Sequence, residues 1–182
     1  MQKKKGFKKA YYFSDKLKEQ LSQIPYYPLT VVEAPSGFGK TTAVREYLDK
    51  ELPDATCEWY TCLSESFAVA WLRICNLFKY IDSEAAEEMK MLKMPATDTL
   101  YDIGNILHNL NCKNETYLVI DNYQLMDLNN HRELIRVFSM HNNSNLHLIF
   151  ITQQLPSHEQ LFINNNNIYL IKAPAFFFDK DS

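Results

Sequence analysis

Leu29-Thr30-Val31-Val32-Glu33-Ala34-Pro35-Ser36-Gly37-Phe38-Gly39-Lys40-Thr41-Thr42 is the stretch on which the fold turns. It begins as an apolar strand and passes through a short loop that holds two of the chain's four glycines. It ends on Gly-Lys-Thr, and a helix-forming run continues to Lys50. Strand, glycine loop, Gly-Lys-Thr and helix, in that order, make a phosphate-binding loop. The loop needs glycine where its backbone turns N–H groups inward, at φ and ψ values that a Cβ obstructs. In this reading Ala34, Pro35, Ser36, Gly37, Phe38, Gly39, Lys40, Thr41 and Thr42 cradle a nucleotide's phosphates. Ala34 stands where the pattern has its first glycine. Lys40 reaches the β- and γ-phosphates, and Thr41 offers its hydroxyl to Mg²⁺. The positive end of the helix faces the same anion.

Outward from the loop, apolar strands alternate with amphipathic helices, which argues for an α/β sheet. Strands are expected over 29–34, 57–62, 115–121, 146–152 and 168–171. Helices are expected from Thr41 to Lys50, along the stripe Phe67, Ala70, Trp71, Ile74, Leu77, Phe78 and Ile81, and around Leu134, Ile135 and Phe138. Residues 82–96 are acidic and Met-rich and read as a loop or a short helix. Thr97 or Asp98 is placed to cap the next helix, with Leu100, Ile103, Leu107 and Leu110 on one face. The expected fold is a P-loop NTPase, three layers α/β/α around a central, mostly parallel five-stranded sheet. It divides into a basic arm over 1–10, the NTPase domain over 11–172, and the start of a linker over 173–182.

A chain of 182 residues suits one domain with a real core. Its 46% apolar and 23% charged content is ordinary for a soluble protein. No apolar run approaches membrane-spanning length, and no signal-peptide core follows the basic start, so a cytoplasmic location with no membrane partner is expected. The four cysteines show no Cys-x-x-Cys spacing and no clustered histidines, so they read as buried free thiols. Net charge is −3, but residues 1–9 carry five lysines and no acid, leaving −8 for the rest. An acidic body repels a phosphate backbone, which argues against direct DNA binding by this domain.

The second half of a nucleotide site follows the loop. Tyr117-Leu118-Val119-Ile120-Asp121 is an apolar strand ending in a carboxylate, 81 residues after Lys40. In this fold such an Asp holds Mg²⁺, directly or through water. Its neighbour Asn122 can hydrogen-bond water but cannot take its proton. The fourth strand ends Ile151-Thr152-Gln153-Gln154, and Gln153 is placed to reach the γ-phosphate as a neutral donor, where an Arg would stabilise charge better. The catalytic set is thus Lys40, Asp121, Asn122 and Gln153, with Thr41 and Asp121 on the metal. Should hydrolysis be fast, Glu33, Glu65 or a partner chain is left to supply the acid.

These segments resemble a known family. The loop through Thr42, Trp59-Tyr60 with Leu63, Leu118 to Tyr123, and Leu146 to Thr152 followed by Pro156 come in this order. They resemble the ATPase module of large ATP-binding LuxR-type transcription activators, the maltose-regulon activator group of the STAND class of NTPases. Phe13-Ser14-Asp15-Lys16-Leu17 is similar to that family's entry segment near the adenine, without its usual Arg. The resemblance implies an N-terminal ATP–Mg²⁺ switch, followed in the family by a winged helix, a helical-repeat sensor and a helix-turn-helix. It implies self-association on nucleotide and inducer binding, and DNA contact only through the missing helix-turn-helix. Family members carry a second Asp where Asn122 stands and an Arg near Gln153. Both departures weaken hydrolysis and leave ATP binding intact. The alternative function is an active P-loop ATPase or kinase with a separate substrate. A kinase lid rich in arginine and an ABC-type Ser-Gly-Gly signature are both missing from the sequence.

Overall fold

The computed structural model describes residues 13–126, 131–155 and 167–176. The basic arm, Pro156, residues 164–166 and Phe177–Phe178 lie outside them.

Among the described residues, five strands form one sheet. They are β1 (Leu29–Glu33), β2 (Thr56–Thr61), β3 (Thr116–Asp121), β4 (Leu146–Thr152) and β5 (Ile168–Lys172), in the order β2-β3-β4-β1-β5. Every pairing among these strands is parallel, so the sheet is more uniform than the mostly parallel one expected. Parallel strands are covered on both faces and therefore read as continuous apolar runs. In β3 and β4 every residue is buried.

The helices are α1 (Asp15–Leu21), α2 (Lys40–Glu51), α3 (Phe67–Phe78), α4 (Ser83–Met91), α5 (Leu100–His108) and α6 (His131–Ser139). The acidic, Met-rich segment is a helix, α4, started by the Asp82 side chain accepting from Ala85 N at 3.2 Å. The cap of α5 falls on Thr99 rather than Thr97 or Asp98. Its hydroxyl holds the preceding turn instead of the helix, accepting from Ala96 N and donating to Met94 O, both at 2.9 Å.

Two cores flank the sheet. On one face, Leu118, Ile120, Leu148 and Phe150 pack with α3 to α6, including Trp71, Phe78 and Phe138. Tyr123 stacks on Phe150 at 4.4 Å between ring centroids. On the other face, Val32, Val119, Ile149 and Ile151 pack with α1, α2 and Phe176. Three layers result, as expected. Phe176 is buried and the Ser14 hydroxyl donates to Ala175 O at 3.2 Å, so the aromatic end of the described chain packs back on α1. The cysteines are free, but Cys57 is exposed rather than buried, because β2 is an edge strand.

The strand order also places the site. β1 leads through α2 to the far edge strand β2, whereas β2, β3 and β4 each lead back the other way. Ligands of open α/β sheets gather at the carboxyl ends of strands where this direction reverses. The β1 loop and the end of β3 meet there.

Candidate functional site

The loop between β1 and α2 owes its shape to two residues at positive φ, Gly37 at 85° and Gly39 at 74°. A Cβ added at either would meet no heavy atom within 4 Å. Backbone conformation, rather than crowding, therefore demands glycine. Gly39 is also the N-cap of α2 and supplies no side-chain cap. The first-turn amides of α2 are left open to an anion.

Lys40 begins α2 and turns back over the loop. Its Nζ donates to Ala34 O at 2.5 Å and Pro35 O at 2.9 Å. The side chain is largely buried, and burial pushes its pKa below the usual lysine value, with the Asp121 charge pulling it back up. A cation held in place beside open amides is an anion site.

Asp121 closes the other side. It is buried at the end of β3, and its carboxylate accepts the Thr41 hydroxyl at 2.9 Å through Oδ2 and 3.2 Å through Oδ1. Oδ1 also accepts the Asn122 backbone N–H at 2.8 Å. A hydroxyl and a carboxylate side by side are hard oxygen donors, the type that takes Mg²⁺ with several waters retained. These residues fit a Mg²⁺–nucleotide.

A cavity of about 140 Å³ at these strand tips gathers Gly37, Gly39, Lys40, Thr41, Asp121, Asn122 and Gln153, and adds Ser36, Gln124 and Ile151. Ala34, Pro35, Phe38 and Thr42 do not line it. Ala34 is in the core, Pro35 contributes its carbonyl to Lys40, and Phe38 packs against the core on the α1/α2 face. Gln124 went unread in the sequence. Its Oε1 accepts Gln153 N at 3.1 Å and so ties the tip of β4 to the turn after β3. A glutamine three residues past a strand-end Asp has no spacing signature, so only the fold reveals it. Asn122 adopts the left-handed conformation at φ 55°, which Asn tolerates better than most residues. A larger groove of about 570 Å³ lies between α5 and α6 and holds none of these residues.

The architecture and this loop define a P-loop NTPase of the three-layer α/β/α type. The chain belongs to the AAA domain family, which it matches over residues 26–161. It is 28% identical over 148 residues to the HTH-type transcriptional regulator MalT of Yersinia pestis (strain Pestoides F), covering 79% of this chain and 16% of that protein. The MalT regulator of Serratia proteamaculans (strain 568) is 28% identical over 151 residues, 78% of this chain and 16% of that one. The chain thus spans about a sixth of the length of these relatives. Among solved structures it is similar to a Signal Transduction ATPase with Numerous Domains (STAND) protein with a tetratricopeptide repeat sensor from Pyrococcus horikoshii. There the TM-score is 0.60 at 15% identity, over 90% of this chain and 23% of the other. Cdc6p from Pyrobaculum aerophilum follows at 0.53 and 14%, over 88% and 46%. These likenesses agree with the resemblance read from the sequence, an ATPase module of MalT-like regulators.

Proposed function

We propose that this chain is the ATP–Mg²⁺-binding switch module of a bacterial transcription regulator, with weak hydrolysis at most. The observation that carries the reading is the Thr41 hydroxyl on the Asp121 carboxylate at 2.9 Å, beside Lys40 at the start of α2. Gly37, Gly39, Lys40, Thr41 and Thr42 would bind the phosphates, and Thr41 and Asp121 the metal. When bound, Mg²⁺ would neutralise charge on the β- and γ-phosphate oxygens. Lys40 would fix the phosphate chain, and Asn122, Gln124 and Gln153 line the cavity as neutral amides.

Slow hydrolysis follows from that lining. Among the residues lining the cavity, Asp121 is the one carboxylate and there is no arginine. The site can hold ATP but has little to stabilise γ-phosphate charge. A bound nucleotide then works as a state marker, favouring one conformation of a longer protein and its self-association with inducer. DNA contact belongs to a helix-turn-helix outside this chain, and the module works in the cytoplasm. Active ATPase or kinase chemistry gains nothing from this lining.

Mg²⁺–ATP should raise the melting temperature of the purified chain, equivalent to about 2.7 kcal/mol at a hundredfold excess over Kd. No shift at millimolar Mg²⁺–ATP would overturn the reading.

A further inference from the structure

Gly104 faces the groove of about 570 Å³ from the middle of α5. Glycine weakens a helix interior relative to alanine, so its presence there calls for a reason. The fold supplies none. Gly104 is not at positive φ, and a Cβ added to it would meet no heavy atom within 4 Å. The chain is also sparing with glycine, with 4 in 182 residues, and Gly37 and Gly39 shape the phosphate loop. A missing side chain at 104 provides room for another chain to come close to α5.

Around Gly104 the groove is apolar and free of acids. Tyr101, Val137 and Met140 line it, no carboxylate does, and Arg136 is its one permanent cation. Arg136 has no ion-pair partner among the described residues. Tyr101 is 77% exposed. A large ring left in water beside an apolar groove is a surface that gains from being covered.

The same chain carries a complementary surface on α4. Glu84, Glu88 and Met91 are exposed along one face of it, at helical spacing. Glu87, on the same face, pairs with Lys90 at 2.7 Å and has Lys79 nearby. Glu84 and Glu88 have no ion pair among the described residues. Met91 is 80% exposed, and it and Tyr101 are the two most exposed large apolar side chains among the described residues. Methionine fits irregular apolar gaps and makes favourable contact with aromatic rings. One surface thus offers unpaired acids and a free apolar side chain, and the other an unpaired cation and an apolar slot.

We infer that the α5/α6 groove receives α4 of a second copy of this chain. Met91 enters over Gly104 against Tyr101 and Met140, and Glu84 and Glu88 face Arg136. α4, α5 and α6 share one layer on the same face of the sheet, so a two-fold pair seats each α4 in the other's groove and closes the contact. This pairing uses neither the phosphate loop nor Asp121 and needs no nucleotide. It is therefore distinct from the nucleotide- and inducer-linked self-association proposed above.

Sedimentation of the purified chain without nucleotide tests the pairing. Wild type should dimerise with a Kd on the order of 10 µM. Gly104→Leu fills the slot at a position where a Cβ meets nothing within 4 Å. Leucine favours the helix, so this variant should fold at least as stably as wild type, as thermal denaturation checks. Its Kd should rise by about 10-fold or more. Arg136→Glu alone, and Glu84→Lys with Glu88→Lys, should each weaken association by about the same factor, since like charges then face each other. All three charge changes together should return the Kd to within about threefold of wild type, which a merely disturbed surface would not do. A wild type that stays monomeric at about 500 µM overturns the proposal and leaves the groove to a different partner. So does a dimer whose Kd none of these variants moves by more than about twofold. Neither result touches the switch reading, because no nucleotide is present.

Discussion

Thr41 and Asp121 stand 80 residues apart in the chain and share a hydrogen bond of 2.9 Å. One opens α2 and the other closes β3, so the bond joins the two halves of the site across β4, which lies between β1 and β3. The two proposed metal donors are held together by the fold, which would lower the ordering cost of binding a metal.

Lys40→Ala should remove most of the stabilisation by Mg²⁺–ATP, because Lys40 is the one cation lining the cavity. Thermal denaturation with and without nucleotide measures it. Equal shifts in wild type and variant would rule out the phosphate-loop assignment.

Asp121→Asn should leave metal-free nucleotide binding largely intact and weaken the Mg²⁺-dependent part. The amide oxygen can still accept the Thr41 hydroxyl, so the fold should tolerate the change. Titration of ATP with and without Mg²⁺ separates the two parts. Unchanged Mg²⁺ dependence would reduce Asp121 to a strand-end residue.

Asn122→Asp, alone or with Gln153→Arg, should raise single-turnover hydrolysis while changing ATP affinity little. Position 122 sits at φ 55°, which Asp also tolerates, and Gln153 is held to Gln124 through its backbone N–H. The geometry should therefore survive both changes. Wild-type turnover on the order of 1 s⁻¹ or above would instead mark a true ATPase.

Gly39→Ala places a Cβ on a residue at φ 74°. The cost should be roughly 1–2 kcal/mol. Nucleotide binding should weaken with it, since the start of α2 shifts. Urea denaturation checks the first effect and nucleotide titration the second. Full stability and full affinity together would show that the loop does not need its left-handed turn.

His141 should contribute to the loss of stability in acid. It is 1% exposed, its Nδ1 accepts Asn143 N at 3.0 Å, and burial pushes its pKa down to about 4. The unfolded chain takes up that proton near 6.5, whereas the folded chain resists until about 4. The group's contribution is present at pH 7 and is lost as pH falls through that window. At its full extent the loss is worth about 3 kcal/mol. His141→Asn should flatten the fall between pH 7 and pH 4 in urea denaturation. An equally steep fall in the variant would place the acid sensitivity elsewhere.

The strands and the loop were legible because their signals are local. An apolar run such as Leu146–Thr152 names a doubly buried strand, and its bounds match the structure. Gly37 and Gly39 announce a backbone that other residues resist, and Gly-Lys-Thr follows from it. Helix starts were less legible. Asp82 and Thr99 compete with nearby polar residues for the cap, and tertiary packing chooses among them.

Contacts between distant segments carry no local signal. The strand order β2-β3-β4-β1-β5 sets which tips become neighbours, and nothing in the composition of β2 says that it borders β3. From that order come the Thr41–Asp121 bond and the tie between Gln124 and Gln153. Local residue chemistry dictates a phosphate loop and a strand-end carboxylate, because steric limits on φ and the alternation of burial act within a few residues. Long-range packing alone selects which polar side chains converge on them, because each of those hydrogen bonds is a few ångströms in space and up to 80 residues along the chain.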